Sequence, residues 1–203
     1  MARVEASVRA PQLIAAARRV LAREGVANTS LRAVAAEGEV PLGTLQYVFP
    51  TRELLLRAVI EDVATEIGQV LADSIQTGDG LAHAIRHSLR AFWTQLAAEV
   101  NLQIMQYELT MYALRTDGQQ DLARWQYQSY ADVVAQWCES AASNAGEVSA
   151  IPYPRLARVM LASVDGLIMQ YVCDPDDERA QADLETTIDM LIALAAPRPT
   201  SAS

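Results

Sequence analysis

Residues 27–55, ANTSLRAVAAEGEVPLGTLQYVFPTRELL, constrain the fold of this 203-residue chain more tightly than any other stretch. Two short apolar patterns, Leu31-Val34-Ala35 and Leu45-Phe49, flank Gly38-Glu39, and their spacing predicts two short helices meeting at a tight corner. Thr29 and Ser30 supply hydroxyls to cap the first helix, and Pro41 can open the second. Upstream, Leu13, Ile14, Ala17, Val20 and Leu21 share one helical face, with Pro11 in the first turn and Gly25 ending the run. Downstream, Pro50 breaks the chain, Thr51 caps, and Leu54, Leu55, Ala58, Val59, Val63, Ile67, Val70, Leu71 and Ile75 trace a long helix. Helices this short are stable only when packed on one another, so the long helix must anchor them to something larger.

From Gly78-Asp79-Gly80 onward the pattern is helical throughout: Leu81 to Ala98, Asn101 to Arg115, Gln119 to Ala142, Tyr153 to Val172 and Glu178 to Ala196. RTDGQ, SNAGEVSAIP and CDPDDE separate these runs with Gly, Pro and Asx turn chemistry. Period-two alternation never lasts long enough to argue for a strand. The expected fold is all-α, with a small three-helix domain over residues 1–52, a larger helical domain over 53–196 and a disordered tail over 197–203. Arginines interrupt the apolar residues near the N-terminus, which excludes a secretory leader, and no later run reaches the roughly 18 apolar residues of a membrane helix. No membrane association is expected. Cys138 and Cys173 lack ligand-spaced partners and read as buried thiols in a reducing cytoplasm.

The net charge is −9, yet residues 1–57 hold eight Arg (3, 9, 18, 19, 23, 32, 52, 57) against five Glu (5, 24, 37, 39, 53). Screening falls off over about 8 Å at physiological salt, so a locally positive face can bind phosphates while a distant acidic region contributes little. The corner between two short helices is the geometry of a helix-turn-helix, in which the second helix enters the major groove and the first crosses the backbone. Ala35 supplies the small residue where the two pack.

Residues 13–60 resemble the N-terminal domain of the tetracycline-repressor (TetR) family of bacterial regulators. The resemblance rests on the helix ending in Gly25, Thr29-Ser30, Arg32, Val34-Ala35, Val40, Gly43-Thr44-Leu45, Tyr47, Phe49 and Arg52-Glu53-Leu54. It implies a double-stranded DNA operator as partner. Arg32 then reaches a base edge or phosphate; Leu42, Gly43, Thr44 and Gln46 face the groove; Tyr47, Thr51 and Arg52 hold phosphates, as Thr29 and Ser30 do at the preceding helix. Glu39 stands where the family commonly has Gly, Pro41-Leu42 where it commonly has Ser-Lys, and Gln46 and Val48 where Tyr and His are frequent.

Two later helices are apolar on more than one side. Leu156, Met160, Ser163 and Leu167 form one stripe and Ala157, Leu161, Val164, Ile168 and Val172 another, while Leu184, Ile188, Leu191 and Ala195 repeat the pattern. Such a helix meets its own core and something else, either a second copy of the chain or further helices of a monomer. The expected homodimer interface is Met160, Ser163, Leu167, Leu184, Ile188 and Leu191. The resemblance further implies a cavity for a small effector that alters the spacing of the DNA-reading helices. The candidate lining is Phe92, Trp93, Gln103, Met105, Tyr107, Glu108, Tyr112, Trp125, Gln128, Tyr130 and Trp137, suited to a hydrophobic or aromatic molecule that releases a repressor from DNA.

The alternative is a helical small-molecule-binding protein or enzyme without DNA binding. Against it, the DPDDE aspartates sit in a turn suited to capping, His83 and His87 lack a third ligand, and no catalytic triad or phosphate loop is apparent. No enzymatic activity, cofactor or metal is expected.

Overall fold

The computed structural model describes residues 2–73 and 79–200. Ile75, Gly78, the side chains of Arg3 and Glu5 and the tail residues 201–203 lie outside the described residues. Nine helices run through them: α1 (Ala2–Glu24), α2 (Leu31–Glu37), α3 (Leu42–Val48), α4 (Arg52–Asp73), α5 (Gly80–Ala98), α6 (Val100–Arg115), α7 (Gln120–Asn144), α8 (Tyr153–Cys173) and α9 (Asp177–Ala195).

The chain forms two compact units that do not follow chain order, Met1–Val63 with Asn101–Gln126, and Ala64–Val100 with Tyr127–Ser203. The sequence suggests a boundary at residue 52, but the first turns of α4, most of α6 and the start of α7 cluster with the N-terminal helices. The reason is packing: α2 and α3 are only seven residues each, and longer helices must complete their core.

In the first unit, α1 packs on α2 and α3, which pack on each other. Leu13, Val20, Val34, Leu45, Val59 and Ile60 are fully buried there. Burial of each stabilises the fold by about 1.5–3 kcal/mol. α1 does not begin at Pro11 as its sequence suggests; it runs from Ala2 with Pro11 inside it. The proline forfeits one backbone bond yet does not end the helix. Gly25, at φ +79°, closes α1, its N–H donating to the Leu21 carbonyl at 2.9 Å.

In the second unit α9 packs against both α5 and α8. α8 buries Leu156, Ala157, Met160, Val164 and Ile168, and α9 buries Leu184, Ile188, Leu191 and Ala195. By length and composition α8 is apolar enough to cross a membrane, against the sequence expectation. Its buried residues mark a core helix carrying a second apolar side. Cys138 is buried, its thiol 3.8 Å from the Met160 sulfur and pushed up to about 12 by burial, whereas Cys173 is exposed rather than buried as expected.

The chain end departs from expectation as well. Instead of being disordered from residue 197, it forms β2 (Arg198–Pro199), which pairs antiparallel with β1 (Glu147–Val148) in register Glu147–Pro199 and Val148–Arg198. The Thr200 N–H donates to the Gly146 carbonyl at 2.7 Å. Through this pairing the Glu147 carboxylate accepts from the Leu81 N–H at 2.8 Å and caps α5 from 66 residues away.

Candidate nucleic-acid interface

The corner between α2 and α3 turns at Glu39, whose φ of +53° is left-handed, while Gly38 before it stays at φ −83°. The glycine is needed for space rather than for freedom: a Cβ there would lie 3.2 Å from Leu13 Cδ2 and 3.3 Å from the Val34 carbonyl oxygen. Gln12 Nε2 donates to the Gly38 carbonyl at 3.0 Å, tying α1 to the corner. Val34 and Ala35 of α2 and Leu45 of α3 face inward with Phe49. The opposite side of α3 is therefore offered outward, with Gly43, Gln46 and Tyr47 exposed and Leu42 and Thr44 half-buried. Tyr47 is 60% exposed, and nothing lies within 4 Å of where a Cβ on Gly43 would stand, so the face is free for a groove.

Ser30 caps α2, its hydroxyl accepting from the Ala33 N–H at 3.1 Å, and Thr51 does the same for α4 through the Leu54 N–H at 3.2 Å. Both are exposed, at helix N-termini where anions are favoured. Thr29 is different. It is buried and its hydroxyl donates to the Gly25 carbonyl at 2.9 Å, so the expected DNA contact gives way to a role in closing α1.

The cation inventory also changes. Arg18 donates to Asp62 at 2.8 Å, and Arg19 and Arg23 both reach Glu37, at 2.8 and 3.1 Å, pulling its pKa below the ordinary carboxylate range. The Arg57 guanidinium lies 4.6 Å from the Trp125 ring centroid. Arg52, expected to hold a phosphate, donates to the Val26 carbonyl and sits 4.5 Å from the Tyr112 ring centroid, so its guanidinium is turned into the protein. The local excess of arginine over glutamate thus overstates the cations free to meet DNA. Among the described residues Arg32 is exposed with no carboxylate in ion-pair reach, beside the α2 N-terminus.

The effector candidates divide between the two units. The Glu108 carboxylate accepts from the Val26 N–H at 2.8 Å. Tyr112 and Trp125 carry the arginines just described, and Gln128 is exposed and donates to Asp132 at 2.7 Å. In the first unit Met105 is buried, Tyr107 is half-buried, and Gln103 accepts from Gln106 at 3.4 Å. In the second unit Trp93 and Tyr130 are buried, Phe92 is half-buried, and Trp93 meets Tyr171 edge-on with centroids 5.5 Å apart. Trp137 is 5% exposed, and its indole N–H is buried with no acceptor among the described residues.

Of the expected dimer contacts, Met160, Leu184, Ile188 and Leu191 are at most 3% exposed within the chain itself. They belong to its own core, in which α9 packs against both α5 and α8 and Met160 meets Cys138 of α7. Ser163 and Leu167 stay half-buried. The outward apolar side instead carries Val159 (36% exposed), Met169 (44%), Met190 (63%) and Leu194 (36%), with Ala162 and Gly166 between. A groove of about 480 Å³ along Arg155, Arg158, Val159, Ala162 and Ser163 borders it.

Elsewhere the acidic turn is engaged: Asp176 caps α9 through the Arg179 N–H at 3.0 Å, Asp174 pairs with Arg179 at 2.9 Å, and Asp177 accepts from the Tyr171 hydroxyl at 2.8 Å. His83 and His87 stack with ring centroids 6.0 Å apart.

Residues 13–59 match the family model described as bacterial regulatory proteins, tetR family, and residues 76–194 match the tetracyclin repressor-like C-terminal domain. Among curated proteins, the chain is similar to the nicotine-responsive transcriptional repressor HdnoR of Paenarthrobacter nicotinovorans, 25% identical over 187 residues that cover 92% of this chain and 95% of that protein. Among solved structures, a putative TetR-family regulator from Rhodococcus sp. matches with a TM-score of 0.78 at 18% identity, covering 93% of this chain and 99% of that one. The multidrug binding protein EbrR, solved with imidazole, matches with a TM-score of 0.65 at 26% identity over 95% and 97% of the two chains.

Proposed function

This chain belongs to the tetracycline-repressor family of bacterial regulatory proteins, and we propose that it is a cytoplasmic, effector-responsive repressor that binds a palindromic DNA operator as a homodimer. The observation that carries the reading is the outward side of α3, with Leu42, Gly43, Thr44, Gln46 and Tyr47 standing clear of the core that Leu45 anchors. Gln46 has the bidentate amide that suits adenine, Thr44 a hydroxyl for a base or phosphate, and Leu42 an apolar surface for a thymine methyl. Arg32, Ser30, Tyr47 and Thr51 supply the surrounding phosphate contacts, two of them at helix N-termini.

A two-fold operator requires two copies of the reading helix about 34 to 36 Å apart, or one helical turn. The face of Val159, Met169, Met190 and Leu194 supports pairing through α8 and α9, with Ala162 and Gly166 permitting close approach. An aromatic effector is supported by Trp93, Tyr130 and Trp137 in the second unit. The buried Trp137 N–H has no acceptor among the described residues, so a ligand carrying a carbonyl or ring nitrogen would satisfy it. The names of HdnoR, responsive to nicotine, and EbrR, solved with imidazole and malachite green, support a ring-bearing effector. An effector that favours one half-site spacing by about 1–3 kcal/mol changes operator affinity roughly 5- to 150-fold.

Selection from random duplexes tests the reading. Recovery of an inverted repeat, bound by a species of twice the chain mass in sedimentation, is the expected outcome. Failure to enrich any sequence at low salt overturns it.

A further inference from the structure

α5 takes its cap from a distant part of the chain. Asp79 stands at the N-cap position but makes no side-chain cap bond, and its carboxylate lies 3.6 Å from His83 Nε2 instead. The Leu81 N–H donates to the Glu147 carboxylate at 2.8 Å, and Leu81 is fully buried, so this N–H has no solvent to turn to. Gly80, at φ +82°, makes the room: a Cβ there would lie 2.9 Å from Glu147 Oε1.

Glu147 is held in turn by the segment that follows α9. The Thr200 N–H donates to the Gly146 carbonyl at 2.7 Å, a bonded pair of the antiparallel ladder. The next pair, Glu147 with Pro199, therefore falls where no backbone bonds are exchanged, and the proline forfeits nothing. On the other side of Glu147, the Ala150 N–H and the Ser149 hydroxyl both donate to the Ala195 carbonyl, at 2.7 and 3.2 Å. Between α9 and β2 the chain turns at Ala196 with φ +35°, a left-handed value for a residue with a Cβ, which persists only where its surroundings hold it.

We propose that Arg198–Thr200 is a latch for α5. Its pairing with β1 keeps the Glu147 carboxylate on the Leu81 N–H, and its release uncaps α5 without a change in any residue of that helix. Glu147 is the positioning residue through which the two are joined. The physical basis is mutual dependence. A two-residue ribbon is weak alone, whereas a buried N–H without an acceptor is costly, so each contact lasts only while the other is in place. Every contact in the latch lies within the second unit, and the inference stands apart from the DNA-binding reading.

Residue-resolved amide hydrogen exchange of the full chain, free of DNA, tests the latch. Thr200→Pro removes both donors to the Gly146 carbonyl, the N–H and the hydroxyl, and leaves Glu147 and α5 unaltered. It is expected to speed exchange at Leu81 about tenfold, the order expected when a hydrogen bond to a charged group is lost. Val34 and Leu45 of the first unit should exchange as in wild type. Glu147→Ala is expected to give the same acceleration at Leu81, and Glu147→Gln, which keeps an acceptor oxygen, a smaller one. The Thr200→Pro/Glu147→Ala double variant should add nothing to either change alone, because both break one bond. If Glu147→Ala does not fold, Thr200→Pro against Thr200→Ser, which keeps both donors and should match wild type, decides the matter. Unchanged exchange at Leu81 in Thr200→Pro overturns the latch, as does an acceleration spread over both units or an additive double variant.

Discussion

Arg32 and Arg52 look alike in sequence, each opening a helix in a region rich in arginine, but their surroundings give them opposite duties. Arg32 stands in solvent beside a helix N-terminus, whereas Arg52 spends its guanidinium on a carbonyl and an aromatic ring. Their alanine variants should separate in a salt titration. Arg32→Ala is expected to weaken operator binding and reduce the salt slope by about one, as loss of one phosphate contact does. Arg52→Ala is expected to lower stability by about 1–3 kcal/mol, because a buried carbonyl loses its charged donor, and to leave the slope as it was. A shallower slope for Arg52→Ala would return it to the phosphate contacts. Gly25 is a second residue-scale case. Gly25→Ala places a Cβ on a left-handed backbone and against the Glu108 carboxylate, so urea denaturation should report a loss of about 1–2 kcal/mol.

At the scale of elements, short helices depend on ties between them. α2 is held to α1 by Glu37, which accepts from Arg19 and Arg23; α5 is held to α9 by Glu185, which accepts from Arg90 at 2.7 Å. The first arginine in each case, by its hydrogen bond, pulls the carboxyl below its ordinary range. A lowered native pKa gives stability that is complete above the ordinary glutamate value and fades as pH falls through that value towards the native one. Glu37→Gln should therefore melt lower than wild type at about pH 7, with the difference shrinking as pH falls below the ordinary glutamate range. A difference that persisted in acid would assign the effect of Glu37 to shape rather than charge. Both ties are exposed to solvent, so added salt should shrink the gap as well.

For the whole molecule, the apolar sides of α8 and α9 carry the argument for assembly. Val159 and Met190 are exposed in the single chain and contribute little to its core. The Val159→Glu/Met190→Glu variant is expected to keep the wild-type melting profile at high dilution yet sediment as single chains, and to lose at least about 100-fold in operator affinity because the two half-sites are no longer read together. Retention of the paired species would move the interface elsewhere. Met160, Leu184, Ile188 and Leu191 are unsuitable for this test, since each is packed inside the chain and its loss would unfold the unit.

The sequence by itself determined the helices and the reading corner. Apolar residues at helical spacing, Ser30 and Thr51 as caps, Gly25 as a stop and the Gly38-Glu39 corner act within a turn or two, so they can be read locally. What only the tertiary structure decided depends on partners distant in the chain. A stripe at helical spacing does not say which of two apolar sides of α8 meets α9, so Met160 and Val159 could be told apart only once the helices were packed. Arg52 and Glu108 look like ligand-facing charges until Val26, 26 and 82 residues away, turns out to hold both. The chain end likewise read as unstructured because its pairing partner, Glu147–Val148, is too short to show alternation. Propensity and capping are local energies, whereas the choice of a buried partner is settled by which surfaces the folded chain brings within hydrogen-bonding reach.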